Sequence, residues 1–335
     1  MIQPPSRKSA PHTPWALLGP NEIFATPKEL PRIIQGLSFY SGATTIVAAS
    51  SHCGKSYLAQ SLALCCTAGV SVWGRFSVSR AMRVLFVDFE QGSFLTCRRF
   101  VQLAAALGLG PDALGDRLKV VVFPADRLDQ PGAAQVWETE CAGFDIVIVD
   151  TMRAAAPGLD ENDSKFRIVL DILNWIADRH GVCFIVLHHF GKRIFQEPTA
   201  DALRGSSAIK DAVSAIYGFI PRSGGRRLYT LKDRFRELPP PVTVDFVSDG
   251  SDALLVTAAH AAYIEPARSP RKGKPSRDYA GEILVLLVDR PVATQADIAD
   301  AIGARRQEVN ATLKDLLKNN IIKKTEQGYQ INEEI

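Results

Sequence analysis

The sequence of 335 residues is 46% hydrophobic and 22% charged, and its formal net charge is +3. This composition excludes a disordered chain, and the longest apolar runs, at residues 143–149 and 182–187, fall far short of the roughly 20 residues that a membrane-spanning helix needs. The first residues lack the apolar segment of a secretory signal, so we expect a cytoplasmic location without membrane contact.

Residues 1–30 are rich in proline and weakly patterned, which predicts a flexible arm with a short ordered piece around Trp15 to Phe24. Beyond them, short apolar runs alternate with longer amphipathic segments. We predict strands at residues 45–49, 83–88, 119–123, 145–150 and 183–187. Helices are predicted after the first two strands and at residues 164–179. Nearly continuous Val, Ile and Leu strands separated by helices indicate an α/β fold, with a mostly parallel sheet and helices on both faces.

The pattern changes after residue 204, where short β segments alternate with turn residues. The predicted segments are residues 216–220, 227–231, 242–247 and 253–257. Because the turns between them are short, we expect these segments to extend the sheet with an antiparallel edge. Together with the preceding strands they define one predicted domain, residues 31–265.

Residues 266–277 are basic and rich in proline, which is typical of a linker between domains. The predicted elements beyond it are helices at residues 279–288, 295–302 and 305–319 and a β ribbon at 321–332. Thr294 is placed to cap the second of these helices. This order of helices and ribbon is that of a winged helix-turn-helix, so we predict a small second domain at residues 278–335.

The most specific signal directly follows the first predicted strand: Ala49-Ser50-Ser51-His52-Cys53-Gly54-Lys55-Ser56, with Tyr57 next. A strand before and a helix after this stretch are typical of a phosphate-binding loop. Main-chain amides would surround the phosphates, Lys55 would reach the terminal ones, and the Ser56 hydroxyl would ligate magnesium. Ala49 departs from the usual glycine, and alanine narrows the allowed backbone if that position needs a positive φ.

Acidic and histidine side chains follow three other predicted strands. Glu90 follows the second strand, where it would accept a proton from an attacking water, with an exposed loop residue as the alternative. Asp150 ends the fourth strand after four apolar residues, which is typical of a Walker B carboxylate that holds magnesium through water. His188 and His189 directly follow the fifth predicted strand, where a polar side chain could touch a γ-phosphate. For His188, a buried structural role is an equal alternative.

Two basic residues, Lys232 and Arg234, lie two positions apart on a late predicted strand. Alternation along a strand directs both to the same face. They could enter the nucleotide site of a neighbouring subunit and stabilise charge there as an arginine finger does. A solvated strand face is the alternative.

The third predicted helix of the C-terminal module has an exposed polar face. Its members are Arg305, Arg306, Gln307, Asn310 and Lys314. Arg, Gln and Asn are the side chains that read base edges from a recognition helix, so this face is predicted to bind DNA. Because winged helices also serve as protein-interaction modules, contact with a protein is the alternative.

As an ordered set, these motifs resemble the RecA-like ATPases, and most of all the hexameric replicative helicases typified by the plasmid RepA helicase. The resemblance covers residues 30–250. It implies ATP and Mg²⁺ as ligands, a ring of identical subunits, and roles for individual residues. The implied roles are nucleotide and magnesium binding for Lys55 and Ser56, catalytic base for Glu90, magnesium binding for Asp150, phosphate switch for His189, and finger pair for Lys232 and Arg234.

The resemblance also marks one departure and one further set of candidates. Ser214 stands near the position where the plasmid RepA helicases carry an arginine finger, so Lys232 and Arg234 would have to replace that finger. Loops that face DNA in this family correspond to the segments after Asp150 and after His189. The implied contacts with the DNA backbone are Arg153, Lys192 and Arg193.

The leading hypothesis is a ring ATPase, most simply a hexamer, that moves on single-stranded DNA during replication of a plasmid, phage or integrated element. The alternative is a nucleotide-switched DNA-binding regulator or loader with little unwinding activity. Strand-exchange recombination is a weaker third hypothesis, since no N-terminal DNA-binding domain typical of recombinases is visible.

Six cysteines are present without a CxxC pair, which indicates reduced thiols rather than a disulfide framework. Cys53 is unusual because it lies in the phosphate loop just before a predicted helix. A helix N-terminus lowers the pKa of a thiol. We therefore expect alkylation of Cys53 to block nucleotide binding and ATP to protect it.

Overall fold

The computed structural model describes residues 18–27, 30–50, 53–191, 198–203, 205, 207–222, 225–248, 250–259, 279–289, 292–318, 321–325 and 327–332. The chain divides into two compact units, Met1–Tyr263 and Ile264–Ile335. The predicted linker, residues 266–277, and most of the predicted arm lie outside the described residues.

The first unit is built on a sheet with nine strands among its described residues. They are β1 Thr44–Ala49, β2 Val84–Asp88, β3 Leu118–Val122, β4 Ile146–Asp150, β5 Cys183–His189, β6 Ala215–Arg222, β7 Gly225–Asp233, β8 Val242–Val247 and β9 Leu255–Ala259. Their order across the sheet is β3-β2-β4-β5-β1-β6-β7-β8-β9. Strands β1 to β6 are parallel, whereas β7, β8 and β9 are added antiparallel. The predicted parallel sheet with an antiparallel edge is therefore confirmed.

The helices of this unit connect the strands and cover the sheet. They are α1 Pro20–Ala25, α2 Lys55–Ala68, α3 Ser93–Ala106, α4 Pro111–Leu114, α5 Ala133–Cys141, α6 Met152–Ala155, α7 Arg167–His180 and α8 Ser207–Ala212. The predicted helix at residues 164–179 begins as a 3₁₀ turn, Ser164–Phe166, before α7. Helix α5 is not predicted by the sequence pattern, because its buried side chains, Ala133, Trp137 and Cys141, form only a narrow apolar stripe.

Both faces of the central strands are buried, which explains why these strands consist almost wholly of apolar residues. On one face, Val47 of β1 and Leu187 of β5 belong to a core that includes side chains of α2 and α3. On the other, Ile46 and Val186 belong to a core with side chains of α5, α7 and α8. Neighbouring residues of β1 and β5 thus alternate between the two cores.

The strand order determines where the strand ends meet. β1 lies beside β5, β5 beside β4, and β4 beside β2, and all four run parallel. Their carboxyl ends therefore form one edge of the sheet, the edge at which open α/β sheets bind ligands. β7 is antiparallel to β6, so its last residue, Asp233, pairs with Ala215 at the opposite edge.

The second unit contains three helices and an antiparallel strand pair among its described residues. These are α9 Tyr279–Asp289, α10 Gln295–Ala301, α11 Arg306–Lys318, β10 Ile322–Thr325 and β11 Gly328–Ile331. Thr294 caps α10 by accepting a hydrogen bond from the N–H of Asp297, whose side chain accepts the N–H of Thr294 in return. A separate small core, which includes Ile283, Ile298 and Leu313, holds these elements together.

The helices of both units are short. In the part of the chain that the structure describes, none of them combines the length and the apolar character required to cross a bilayer. The longest helices, α2, α3 and α7, have 14 residues each. That is well below the roughly 20 residues that a spanning helix needs.

Candidate active site

Four side chains singled out by the sequence come together at the carboxyl edge of the parallel strands. Lys55 begins α2, Glu90 follows β2, Asp150 ends β4 and His189 ends β5. Lys55 Nζ lies 3.5 Å from Nε2 of His189 and 4.0 Å from Oδ1 of Asp150. Nε2 of His189 lies 3.9 Å from Oε1 of Glu90. One ammonium, one imidazole and two carboxylates therefore share a single site.

The backbone between β1 and α2 has the form that a phosphate loop requires. Gly54 is the N-cap of α2 and has a φ of +92°. A Cβ added there would clash with the ring of Phe246, so glycine is required both by conformation and by space. Ala49 lies within β1 and has no positive φ, so alanine is compatible with the backbone at that position. Ser51 and His52 lie outside the described residues.

The environment of Cys53 differs from the expectation. Its side chain is buried, its Sγ lies 3.8 Å from the carbonyl oxygen of Phe219, and its own carbonyl accepts a 2.7 Å hydrogen bond from Nε of Arg226. Burial raises the pKa of the Cys53 thiol, and the amide and positive charge of Lys55 oppose this only in part. The expected lowering of the Cys53 pKa is therefore wrong.

The site fits a magnesium ion at the positions that the sequence suggests. Asp150 is fully buried, and among the described residues its Oδ1 has no hydrogen-bond partner. Burial raises the pKa of Asp150, while the charge of Lys55 and the hydroxyl of Ser56 lower it. A carboxylate and a hydroxyl are the oxygen ligands that Mg²⁺ prefers, usually with bound water between. Oδ1 is thus a buried acceptor that a metal-bound water would satisfy.

Lys55 is nearly as deeply buried as Asp150. Burial lowers the pKa of Lys55, and the negative charges of Asp150 and Glu90 act in the opposite direction. The Lys55 ammonium and the N-terminus of α2 are two positive groups that an anion can contact. Ser50 Oγ is also buried, without a hydrogen-bond partner in the described part of the chain. These unsatisfied polar groups fit a phosphate-bearing ligand.

Glu90 is ionised at neutral pH. His189, the Thr151 hydroxyl and Lys55 together lower the pKa of Glu90 to about 2, with His189 the largest influence and burial opposing it. Oε1 of Glu90 accepts a 2.7 Å hydrogen bond from the hydroxyl of Thr151. The carboxylate is therefore oriented as a hydrogen-bond acceptor at the site.

The loop that carries Glu90 is organised by Asp88 and Gln91, to which the sequence motifs assign no role. Asp88 is buried at the end of β2 and accepts hydrogen bonds from the main-chain N–H groups of Glu90 (2.8 Å) and Gln91 (3.0 Å) and from the Thr96 hydroxyl. Nε2 of Gln91 donates to Oδ2 of Asp150 at 3.1 Å. The acidic end of β2 was a visible signal for Asp88, but only the tertiary structure reveals the contact of Gln91.

The two histidines of β5 occupy different environments. His189 belongs to the site, whereas His188 is fully buried. Because alternate residues of β5 face different cores, His188 lies on the face of the sheet opposite to His189. A nucleotide-binding role and a buried structural role for His188 both stay predictions.

Lys232 lies on β7 and Arg234 just beyond its end at Asp233, and both contact α8, away from the phosphate loop of their own chain. Lys232 Nζ donates to the carbonyl of Lys210 at 2.5 Å, and Arg234 donates to the carbonyl of Asp211. Both thus cap the C-terminal end of α8. Burial and then the charge of Arg234 lower the pKa of Lys232. The N–H of Arg234 also donates to the carbonyl of Ser214 at 3.0 Å, so Arg234 stands beside the position where the family resemblance implied a finger.

The remaining candidates in the first unit are the three basic residues implied to contact the DNA backbone, Arg153, Lys192 and Arg193. Arg153 donates through Nη1 to the carbonyls of Ala156, Pro157 and Leu159 at 3.0–3.1 Å, so its guanidinium organises the loop after α6. The Arg153 guanidinium is therefore bonded to carbonyl groups of its own loop and is not a free cation. Lys192 and Arg193 lie outside the described residues.

In the second unit, the predicted polar face is exposed on and just before α11. Its members are Arg305, Arg306, Gln307, Asn310 and Lys314. Val309, Leu313 and Leu316 are buried on the opposite side of the helix. Glu308 and Asp315 are also exposed, so this face carries both signs of charge.

A phosphate loop after a central parallel strand, with carboxylates at the ends of neighbouring strands, defines the class of RecA-like P-loop ATPases. The comparison of the sequence with family models agrees: the chain belongs to the AAA-domain family, whose model matches residues 11–193. A search of curated protein sequences finds no match.

Two solved structures are similar to this chain. The RadB recombinase is 19% identical, with a TM-score of 0.48, over 66% of this chain and 92% of that protein. A DnaB-like replicative helicase, solved to show its interactions with primase, is 15% identical, with a TM-score of 0.50, over 70% of this chain and 66% of that protein. At this identity the likeness to the helicase shows a shared fold.

Proposed function

We propose that this chain is an ATP-dependent motor on DNA, a RecA-like ring ATPase of the hexameric replicative helicase type typified by the plasmid RepA helicase. It would act during replication of a plasmid, phage or integrated element. The observation that carries the proposal is the convergence of Lys55, Asp150, Glu90 and His189 at one edge of the sheet. The shared fold with a DnaB-like replicative helicase supports the DNA-related part of the proposal.

The nucleotide would be held by the phosphate loop. The N-terminus of α2 and its main-chain amides surround the phosphates, and the buried ammonium of Lys55 contacts the terminal ones. Ser56 and Asp150 would hold magnesium, and Tyr57 continues the wall of the site on α2. When bound, magnesium supplies positive charge beside the β- and γ-phosphates.

Glu90 would orient the water that attacks the γ-phosphate. Its low pKa keeps it ionised, so it can accept a hydrogen bond from the water and orient it towards the γ-phosphate. His189 lies between Lys55 and Glu90, which supports the proposal that it would contact the γ-phosphate. His189 is the last residue of β5. Movement of its side chain on loss of the γ-phosphate would therefore be passed to the segment that follows, which is proposed to contact DNA.

Lys232 and Arg234 would complete the site of a neighbouring subunit. They lie at the edge of the sheet opposite to the phosphate loop of their own chain, so a role in ATP hydrolysis requires a second copy. This supports a closed ring in which each site takes Arg234 from its neighbour. The hexamer itself is proposed from the family resemblance.

The second unit would act as a winged helix-turn-helix, with α11 as its recognition helix. The exposed Arg306, Gln307 and Asn310 at the start of α11 support contact with duplex DNA. This same face favours a second candidate function, a nucleotide-switched DNA-binding regulator or loader. In that case ATP would control assembly while α11 supplies affinity for one DNA sequence.

A strand-displacement assay distinguishes the motor from the regulator. A forked duplex with a fluorophore and quencher on its paired ends is incubated with the protein, ATP and magnesium, with Lys55→Ala as the matched control. The motor predicts displacement by the wild type and none by Lys55→Ala. A protected footprint at one defined sequence, with no displacement on any fork, would instead support the regulator.

A further inference from the structure

The two oxygens of the Asp150 carboxylate have different surroundings. Oδ2 accepts a 3.1 Å hydrogen bond from Nε2 of Gln91. Oδ1 is buried, lies 4.0 Å from Lys55 Nζ, and has no hydrogen-bond partner among the described residues. One oxygen is therefore fixed by the protein, while the other remains available at the position proposed for a metal-bound water.

The orientation of the Gln91 amide is determined by its second partner. Oε1 of Gln91 accepts a hydrogen bond from Nη1 of Arg99. A guanidinium has only donors and an ionised carboxylate only acceptors, so the amide has a single satisfactory orientation between them. Gln91 must present its oxygen to Arg99 and its NH₂ group to Asp150.

Arg99 and the main chain of Gln91 are themselves held in place. The Arg99 guanidinium lies over the ring of Tyr57 at 4.7 Å, and the Tyr57 hydroxyl donates to Gln102 at 3.2 Å. The N–H of Gln91 is fixed on Asp88 at 3.0 Å. Contacts therefore run without interruption from α2, which carries Tyr57, through α3 to the carboxylate at the end of β4.

We propose that Gln91 is a positioning residue of the metal site: it holds Asp150 in the orientation that magnesium requires, and Arg99 holds Gln91. Oδ1 already lies 4.0 Å from Lys55 Nζ, a long ion pair, and without this restraint the carboxylate would turn further towards Lys55 and shorten that contact to a direct hydrogen-bonded pair. Such a pair would occupy both the acceptor needed by the metal and the cation needed by the phosphates. The inference rests on the proposed function in one respect, that Asp150 serves magnesium.

Gln91→Glu separates positioning of Asp150 from simple packing. Glutamate has nearly the same shape and still accepts from Arg99, but it loses the donor to Asp150 and sets a second carboxylate against it. If Gln91 served only to anchor Arg99, Gln91→Glu would preserve that role. Gln135→Glu, the same change at an exposed position on α5, is the matched control for the added charge.

The measurement is calorimetric binding of a non-hydrolysable ATP analogue to the full chain, once with magnesium and once with a chelator. In the wild type, magnesium tightens binding. In Gln91→Glu we expect the affinity with magnesium to fall by roughly tenfold or more, as for other residues that orient a metal ligand, while the chelator value stays within about twofold. Arg99→Met should change the affinity in the same direction and by less, and Gln135→Glu should behave as the wild type.

Three results would contradict this inference. Unchanged magnesium dependence in Gln91→Glu would show that Asp150 needs no orientation by Gln91. An equal loss with and without magnesium would make Gln91 part of the general nucleotide pocket instead. A wild type that binds the nucleotide equally well in both conditions would remove the metal role of Asp150. Failure of the wild type to bind the analogue in either condition is a different outcome, because it overturns the proposed function as well.

Discussion

Gly54 shows how strongly a single backbone position constrains the phosphate loop. Its φ of +92° is unfavourable for any residue with a Cβ, and a Cβ would also meet the Phe246 ring. We predict that Gly54→Ala lowers the free energy of unfolding by more than the roughly 1–2 kcal/mol of a left-handed alanine and abolishes nucleotide binding. Urea unfolding and a nucleotide titration measure the two effects.

Gly74 provides the control for that substitution. It has a φ of +72°, and no heavy atom lies within 4 Å of an added Cβ. In Gly74→Ala the free energy of unfolding should therefore fall only by the conformational cost of a left-handed alanine, roughly 1–2 kcal/mol, and the nucleotide affinity should not change. Equal losses of stability in the two variants would contradict the role of Phe246.

Cysteine reactivity is a second prediction at this scale. Burial raises the pKa of Cys53, so at pH 8 less of it is thiolate than in an exposed cysteine, and the reagent cannot reach it. Cys97 is exposed on α3. In the native protein treated with iodoacetamide, peptide mass mapping should find Cys97 modified first and Cys53 resistant, with or without ATP. If Cys53 is modified as rapidly as Cys97, this prediction is wrong and Cys53 is the reactive thiol that its position in the phosphate loop indicates.

Several residues of the site follow from the sequence, and others do not. Lys55, Glu90, Asp150 and His189 were expected together because parallel strands place their carboxyl ends at one edge, and the structure brings them together; their catalytic roles stay predictions. The contact of Gln91 with Asp150 depends on a long side chain reaching across from a neighbouring strand end. No periodicity or motif in the sequence predicts this tertiary contact.

At the scale of elements, apolar runs located the strands well, because strands buried on both faces must be continuously apolar. The ends were less well located where polar residues finish a strand. β5 continues through His188 and His189, two residues beyond the predicted end at 187. These histidines pair with the carboxyl end of β1, and that pairing depends on the sheet rather than on the local sequence.

The end of β7 carries a prediction about neighbouring subunits. If Arg234 acts in trans, Arg234→Ala and Lys55→Ala should each lose ATPase activity, Arg234→Ala by roughly 10³-fold as for other finger residues. Mixing the two variants should restore activity, because some interfaces then combine an intact phosphate loop with an intact Arg234. Each variant is first checked by thermal melting, since Arg234 also caps α8. A mixture no more active than its components would contradict a role in trans.

At the scale of the whole molecule, the chain divides into two compact units. The first unit contains all four side chains of the candidate site, with cores on both faces of its sheet. The second has its own core and an exposed polar helix face. The sequence predicted each helix and strand of the second unit from short-range signals such as the capping box at Thr294. Its partner cannot be predicted in the same way, because an exposed face of mixed charge suits DNA or protein.

The most direct test is the rate of ATP hydrolysis by the full chain, measured with and without single-stranded DNA, beside Lys55→Ala. A ring motor on DNA predicts magnesium-dependent hydrolysis that single-stranded DNA stimulates several-fold, and no hydrolysis above background in Lys55→Ala. A rate that no form of DNA changes would contradict translocation. Hydrolysis that persists in Lys55→Ala would contradict the candidate site itself.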